Sequence, residues 1–108
     1  MLRMNIQFKK GVLELCVLSM LTRENRYGYE LADQLSESIQ ISDGTVYPIL
    51  RKLAADGYVT TYLQESSGGP PRKYYALTPL GQETQNKLLT EWQEFVQHVE
   101  GITGGDHS

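Results

Sequence analysis

The chain has 108 residues, of which 40% are hydrophobic and 21% charged, and its formal net charge is −3 at neutral pH. This length fits a single domain with a modest core, and the composition is typical of soluble globular proteins. No apolar run reaches the roughly 18 residues that span a bilayer. Glu14 interrupts the apolar stretch that follows the basic first residues, so we expect neither a signal peptide nor a membrane partner, but a cytoplasmic protein.

Composition also argues against catalytic and metal sites. Cys16 is the only cysteine and lies among aliphatic residues, so we expect a buried, unreactive core thiol. The two histidines, His98 and His107, lie far from this cysteine and form no recognisable metal site. The sequence shows no Gly-rich phosphate motif, activated nucleophile or distinctive carboxylate pair. We therefore expect no enzyme activity and no cofactor.

Charge is unevenly divided along the chain. Residues 1–78 carry nine Lys/Arg and eight Asp/Glu, whereas residues 79–108 carry one and five. A polyanion would therefore meet the first three-quarters of the chain rather than its end.

The first part of the chain predicts two helices. Residues 9–23 are apolar on nearly all sides, which is typical of a central helix. Residues 24–26 form a polar break, and residues 27–38 carry a buried stripe at helical spacing.

The third helix is short and contains a proline. Ser42 or Asp43 can cap its start, and Gly57 is expected to end it. Pro48 cannot donate to the carbonyl of Gly44 and crowds it, so we expect the helix to start late or to kink in its first turn.

A β-hairpin follows this helix. Residues 58–63 and 72–77 are rich in β-branched and aromatic side chains, and residues 66–71 form a Gly/Pro/Ser turn between them. Because side chains alternate along a strand, one of Tyr74 and Tyr75 is expected in the core. Three helices followed by a basic hairpin outline a winged helix-turn-helix.

The last predicted helix begins at Pro79 with Thr78 as its N-cap, runs to about Glu100 and is ended by Gly101. Its apolar residues recur in steps of four and three, as in a heptad seam. We expect this seam to pair two copies of the chain through Leu88, Trp92, Phe95, Val96, Val99 and Ile102.

The predicted fold class is thus mainly α with a β-hairpin wing. Residues 1–78 are expected to form a winged helix-turn-helix DNA-binding domain, and residues 79–102 a C-terminal dimerisation helix. Residues 103–108 are expected to be a disordered tail.

Several motifs in this order resemble the PadR family of bacterial transcriptional regulators, in particular its short subfamily with one C-terminal helix. The resemblance covers residues 8–99 and departs mildly at Ala54, where such proteins often carry Glu. The motifs are Gly11-x-Leu13-Glu14, Tyr27-Gly28-Tyr29-Glu30-Leu31, Gly44-Thr45-Val46-Tyr47-Pro48, Gly69-Pro70-Pro71-Arg72-Lys73-Tyr74-Tyr75, Leu77-Thr78, Gly81 and Trp92.

The resemblance implies a homodimeric repressor that binds operator DNA through paired winged helices. It also implies release by a small molecule, either a phenolic acid or a planar lipophilic, often cationic, compound. In some short-subfamily members the ligand lies between paired tryptophans at the dimer interface, and Trp92 is the matching position. Core packing at the dimer seam is the other interpretation of Trp92, and the two are compatible.

Candidate DNA contacts lie on the third helix, the hairpin and two other segments. Arginine can pair with guanine in the major groove, lysines and hydroxyls can hold phosphates, and a basic wing suits the minor groove or the backbone. The candidates are Lys9, Lys10, Tyr27, Thr45, Tyr47, Pro48, Arg51, Lys52, Arg72 and Lys73.

Each candidate also has an alternative interpretation. The basic residues would otherwise be solvated surface charges, and Tyr27 and Tyr47 would pack within the domain. For the whole chain, the alternative is a winged-helix module that binds proteins and never touches DNA, which would explain the overall acidity.

Overall fold

The computed structural model describes the backbone of residues 6–104 and the side chains from Lys10 onward, apart from that of Asp43. Within this range there are four helices and a three-stranded antiparallel sheet. The elements are α1 (Ile6–Leu21), β1 (Arg26–Tyr27), α2 (Gly28–Ser38), α3 (Asp43–Ala55), β2 (Val59–Ser66), β3 (Gly69–Leu77) and α4 (Pro79–Thr103). The predicted fold class, a mainly helical winged helix with a long C-terminal helix, is confirmed.

Helix α1 is the central helix, as its apolar pattern predicts. Leu13, Val17 and Leu18 are fully buried, and the helix contacts α2, α3, α4 and β3. It begins at Ile6 rather than at residue 9, and it ends at Leu21 rather than at residue 23. The core that forms around it contains Leu13, Val17, Leu18, Leu21, Leu31, Ala32, Leu35, Val46, Ile49, Leu50, Leu53, Val59 and Tyr75.

Helix α3 does not start late, so that part of the Pro48 prediction is wrong. The helix begins at Asp43, and the Thr45 N–H donates to the Ser42 carbonyl at 2.9 Å. Pro48 has no N–H to donate to the carbonyl of Gly44. Because Gly44 is exposed, water can hydrate this carbonyl instead. Gly57, with φ of 80°, follows the helix as predicted.

The sheet has the order β1-β3-β2. Its edge strand β1 was not predicted from the sequence. Tyr27, predicted to begin the second helix, instead pairs with Tyr74 in this strand. The two hairpin strands are longer than predicted because the turn closes tightly at Gly68, whose φ is 75°. Tyr75 is 5% exposed and belongs to the core, which confirms that one of the paired tyrosines is buried.

Helix α4 starts as predicted, since the Gly81 N–H donates to the Thr78 hydroxyl at 2.9 Å. The predicted end at Gly101 is wrong, because a glycine inside a helix costs only about 1 kcal/mol relative to alanine. The helix runs to Thr103 and ends where Gly104 adopts a left-handed φ of 73°. Of the tail predicted to be disordered, residues 103–108, Thr103 belongs to α4 and Gly104 is its C-cap, and residues 105–108 lie outside the described residues. No helix within residues 6–104 is long and apolar enough to cross a membrane.

Candidate nucleic-acid interface

The solvent side of α3 combines small residues with a long cation. Val46, Leu50 and Leu53 bury the opposite side of the helix in the core. Apart from Lys52, the residues of α3 described as exposed recur in steps of four and three, which places them on one face, and they are Gly44, Pro48, Arg51 and Ala55. Small side chains let the helix backbone come close to a groove, while Arg51 extends from the middle of this face.

Lys52 lies on the flank of α3 and has acidic partners. Its Nζ lies 3.0 Å from Asp56 Oδ2 and 3.5 Å from Glu14 Oε2 on α1. The hydrogen bond to Asp56, and then the charge of Glu14, raise the pKa of Lys52 above its ordinary value. Lys52 therefore ties α3 to α1, and a contact with DNA would compete with these two carboxylates.

Near the N-terminus of α3, two hydroxyl-bearing candidates are half-buried. Thr45 Oγ1 lies 3.3 Å from the hydroxyl of Ser42, the N-cap residue. Tyr47 packs against the core, and it lies close enough to Tyr75 to affect that residue electrostatically.

Arg72 and Lys73 are adjacent in sequence, but they lie on opposite faces of the hairpin. Arg72 pairs with Gln64 and Lys73 with Leu63 in the antiparallel register, and successive side chains of a strand point to opposite faces. Lys73 Nζ is 6.0 Å from the centroid of the Tyr75 ring, on the core side of the sheet. Arg72 Cζ is 5.0 Å from the centroid of the Tyr27 ring, on the outer side.

Tyr75 links the hairpin to helix α3. The pKa of Tyr75 is raised above its ordinary value, mainly by burial and further by Tyr47. The positive charge of Arg51 offsets part of this increase. Arg51 of α3 and Lys73 of β3 thus both lie near the same buried tyrosine. The core side of the wing and helix α3 therefore each contribute one cation to the surroundings of this residue.

The outer face of the sheet carries a row of tyrosines that the sequence did not predict. Tyr62 stacks on Tyr74 at 5.6 Å between ring centroids, Tyr74 lies 5.9 Å from Tyr27, and Tyr27 lies 6.2 Å from Tyr29. Asn25 donates a hydrogen bond to the Tyr62 hydroxyl at 3.1 Å. Tyr27 belongs to this row because β1 pairs with β3, and that short strand gave no recognisable sequence signal.

Two further candidates lie at the start of α1. Lys10 is exposed there, which permits a contact with DNA outside the groove. The side chain of Lys9 lies outside the described part of the structure.

The predicted seam of α4 is largely uncovered in a single chain. Phe95 is 49% exposed, Val99 39% and Ile102 87%, which is unusual for large apolar residues on one helix face. Trp92 is half-buried, and its ring centroid lies 6.4 Å from that of Phe95. Leu88 packs against the core, and Val96 is half-buried.

Trp92 lines three cavities in the described part of the chain, two of which are also lined by α1. The larger, of about 540 Å³, lies between α1, α2 and α4 and is also lined by Cys16, Met20 and Arg26. The smaller, of about 330 Å³, is lined by Trp92 with Val12, Leu88 and Phe95 among others. Cys16 is half-buried rather than deep in the core, and burial raises the pKa of its thiol, which keeps it protonated at neutral pH. No group of three or more metal-binding side chains occurs among the described residues.

Comparisons with known proteins are consistent along the whole fold. Residues 17–87 match the model of the transcriptional regulator PadR-like family. A Streptococcus transcriptional regulator of known structure is 41% identical with a TM-score of 0.82, and the match covers 90% of this chain and 97% of that one. A PadR-like transcriptional regulator of Bacillus cereus is 34% identical with a TM-score of 0.80, covering 90% and 96%. A transcriptional regulator of Mycobacterium tuberculosis is 28% identical over 96 residues, which are 88% of this chain and 89% of that protein.

Proposed function

The chain belongs to the PadR-like family of transcriptional regulators, and we propose that it is a homodimeric repressor of a specific operator, released by a small aromatic or lipophilic ligand. Membership confirms the resemblance seen in the sequence and makes the chain a DNA-binding regulator of transcription rather than an enzyme. It also disfavours the alternative of a winged-helix module that binds only proteins.

One observation carries the proposed DNA contact, namely the position of Arg51 on an exposed helix face of small residues. In our proposal α3 enters the major groove with Arg51 at base edges, because an arginine can form two hydrogen bonds with guanine. Thr45, Tyr47 and Pro48 lie on the N-terminal half of the same helix and would approach the backbone. Lys73, on the side of the wing that faces α3, would hold a neighbouring phosphate.

The remaining cations have distinct proposed roles. Arg72 would contact DNA from the outer face of the wing, and Lys9 and Lys10 would meet the backbone beyond the groove. Lys52 would contribute less than Arg51, because DNA would have to displace Asp56 and Glu14 from its ammonium group.

The exposed apolar seam of α4 supports the proposed dimer. A partner helix would cover the exposed side chains of Phe95, Val99 and Ile102, and burial of apolar surface is worth about 25 cal/mol per Å². Two recognition helices related by a two-fold axis would then read half-sites about 34 Å apart, or a multiple of that turn.

The larger cavity supports the proposed ligand site. Its volume of about 540 Å³ lies in the range that holds drug-sized molecules, and Trp92 offers an indole face for stacking. Release of DNA requires the ligand to bind more tightly to a dimer geometry that cannot reach both half-sites.

The first test is footprinting of the protein on the DNA upstream of its own coding sequence, followed by affinity measurements at increasing salt. We expect a two-fold symmetric footprint and a steep loss of affinity with salt, since lysine and arginine release counterions from phosphates. Binding that is insensitive to salt, or equal for every sequence, would contradict specific repression.

The second test concerns the ligand. Trp92 is the only tryptophan, so its fluorescence reports on this site alone. Phenolic and planar cationic compounds should quench this fluorescence and release the footprinted duplex. Trp92→Phe, which lacks the indole, serves as the control for release of the duplex. If quenching compounds leave DNA affinity unchanged, the ligand site is not a switch. If no compound quenches Trp92, this residue belongs to the dimer core and the ligand proposal is dropped.

A further inference from the structure

Arg72 is exposed, yet its guanidinium is held by an aromatic ring from a neighbouring strand. Its Cζ lies 5.0 Å from the centroid of the Tyr27 ring, within the range of a cation–π contact. The register explains this contact. Tyr27 pairs with Tyr74, and Arg72 lies two residues before Tyr74, so both side chains occupy the outer face of the sheet.

The Tyr27 ring is itself supported from two sides. Its centroid lies 5.9 Å from that of Tyr74 and 6.2 Å from that of Tyr29. The backbone N–H of Tyr27 donates to the Glu30 carboxylate at 3.3 Å, which fixes the junction between β1 and α2. The ring is half-buried and therefore offers a restrained surface to a flexible arginine.

We propose that Tyr27 is a positioning residue for DNA binding, whose ring holds the Arg72 guanidinium over the outer face of the wing where it can meet a DNA phosphate. This inference rests on the proposed function, because it takes Arg72 as a DNA contact. It assigns Tyr27 an indirect role, through Arg72, in place of a direct hydroxyl–phosphate contact.

The physical advantage comes from the geometry of a guanidinium group. A ring contacts its flat face, so the N–H donors in the plane remain available for phosphate oxygens. The contact also leaves the positive charge uncompensated, unlike the carboxylate partners of Lys52. An arginine that is already ordered loses less side-chain freedom when DNA binds.

The experiment measures the affinity of the full-length protein for its footprinted duplex by fluorescence anisotropy. The variants are Tyr27→Phe, Tyr27→Leu, Arg72→Ala and the double variant Tyr27→Leu/Arg72→Ala. Tyr27→Phe keeps the ring and should bind like the wild type. Tyr27→Leu should weaken binding about two- to five-fold per half-site, or about four- to twenty-five-fold for a dimer with two half-sites. Its effect should vanish in the Arg72→Ala background, since the arginine that it positions is gone.

Tyr62→Leu is the matched control. It removes another ring of the same outer face, one that stacks on Tyr74 rather than lying under Arg72. It should leave the affinity near that of the wild type. Urea midpoints of all variants identify those that lose stability, and Tyr27→Met, which fills the space without a ring face, replaces Tyr27→Leu if that variant is unstable.

Four results would overturn the inference. A loss of affinity in Tyr27→Phe would make the hydroxyl the contact. If Tyr27→Leu lowers DNA affinity equally with and without Arg72, the role of Tyr27 is structural. If Tyr27→Leu binds DNA with wild-type affinity, Tyr27 has no role in binding. If the wild type itself shows no salt-dependent binding to duplex DNA, the proposed function fails first and this inference fails with it.

Discussion

Gly81 lies in the first turn of α4, where the helix touches the backbone that leads into β2. A Cβ atom at this position would overlap the carbonyl oxygen of Tyr58, and it would lie 2.9 Å from the carbonyl carbon and 2.8 Å from Leu77 Cδ1. The same carbonyl accepts a hydrogen bond from the Thr78 N–H at 3.1 Å, and the Thr78 hydroxyl donates to the Gly57 carbonyl at 2.7 Å. The backbone therefore cannot yield without breaking these bonds. We expect Gly81→Ala to destabilise the chain by about 1–3 kcal/mol or more.

Gly101 provides the matched control in the same helix. Apart from its chain neighbours and the nearby backbone of its own helix, no described atom lies within 4 Å of a Cβ built there, and its φ is not in the left-handed region. Gly101→Ala should therefore stabilise the chain by about 0.5–1 kcal/mol through helix propensity alone. Urea unfolding followed by Trp92 fluorescence measures both changes, at one fixed protein concentration because the proposed dimerisation would make the midpoint depend on concentration. A Gly81→Ala variant as stable as the wild type would refute the steric argument, as would a larger loss in Gly101→Ala.

Three further predictions concern the binding face, the α4 seam and alkaline stability. Arg51→Ala should lower operator affinity by about 1–3 kcal/mol if Arg51 reads a base. Lys52→Ala should lower operator affinity less, and it should lower the free energy of unfolding by under about 1 kcal/mol. Equal losses of affinity for the two variants in fluorescence anisotropy would contradict this ranking. Phe95→Glu should yield monomers in sedimentation experiments, while Gln93→Glu, off the seam, should not; a dimeric Phe95→Glu protein would remove Phe95 from the interface. Because burial raises the pKa of Tyr75 above its ordinary value of 10.0, its stabilising contribution is complete below that pH and is lost as the pH rises through the folded-state pKa. The urea midpoint should fall between about pH 9 and about pH 11, and less steeply in Tyr75→Phe; identical slopes would show that Tyr75 does not govern the loss.

The helices and the hairpin could be predicted because their signals are local. The apolar surround of α1, the glycine after α3 and the Thr78-Pro79 start of α4 each reflect backbone or burial preferences within a few residues. The predicted end of α4 was wrong because either of two glycines, Gly101 and Gly104, could end the helix. Sequence alone does not show which of them adopts a positive φ. Strand β1 was missed because two residues are too short for any period to appear.

The candidate site was predictable in composition but not in geometry. Arg51 and Lys52 look equivalent in the sequence, and what separates them is Glu14, whose carboxylate reaches Lys52 only after α1 packs on α3. The opposite orientations of Arg72 and Lys73 follow from strand alternation and were within reach of the sequence. The ring beneath Arg72 was not, since it depends on the register of an unpredicted strand.

The two halves of the proposed DNA-binding surface are attached to different parts of the molecule. The wing is joined to α4 through backbone hydrogen bonds around Thr78, and a side chain at Gly81 has no room there. Helix α3 is instead joined to α1 by apolar packing and by the Lys52–Glu14 contact at 3.5 Å. The cavity that contains Trp92 lies between α1 and α4. In the proposed mechanism, a ligand that shifts α1 relative to α4 would also change the position of α3 relative to the wing, and it would have to do so against the contacts that α1 and α3 themselves make with the sheet. Arg51 and Lys73 could then no longer reach the proposed groove and phosphate together, which would provide the difference in affinity that the proposed ligand-induced release requires.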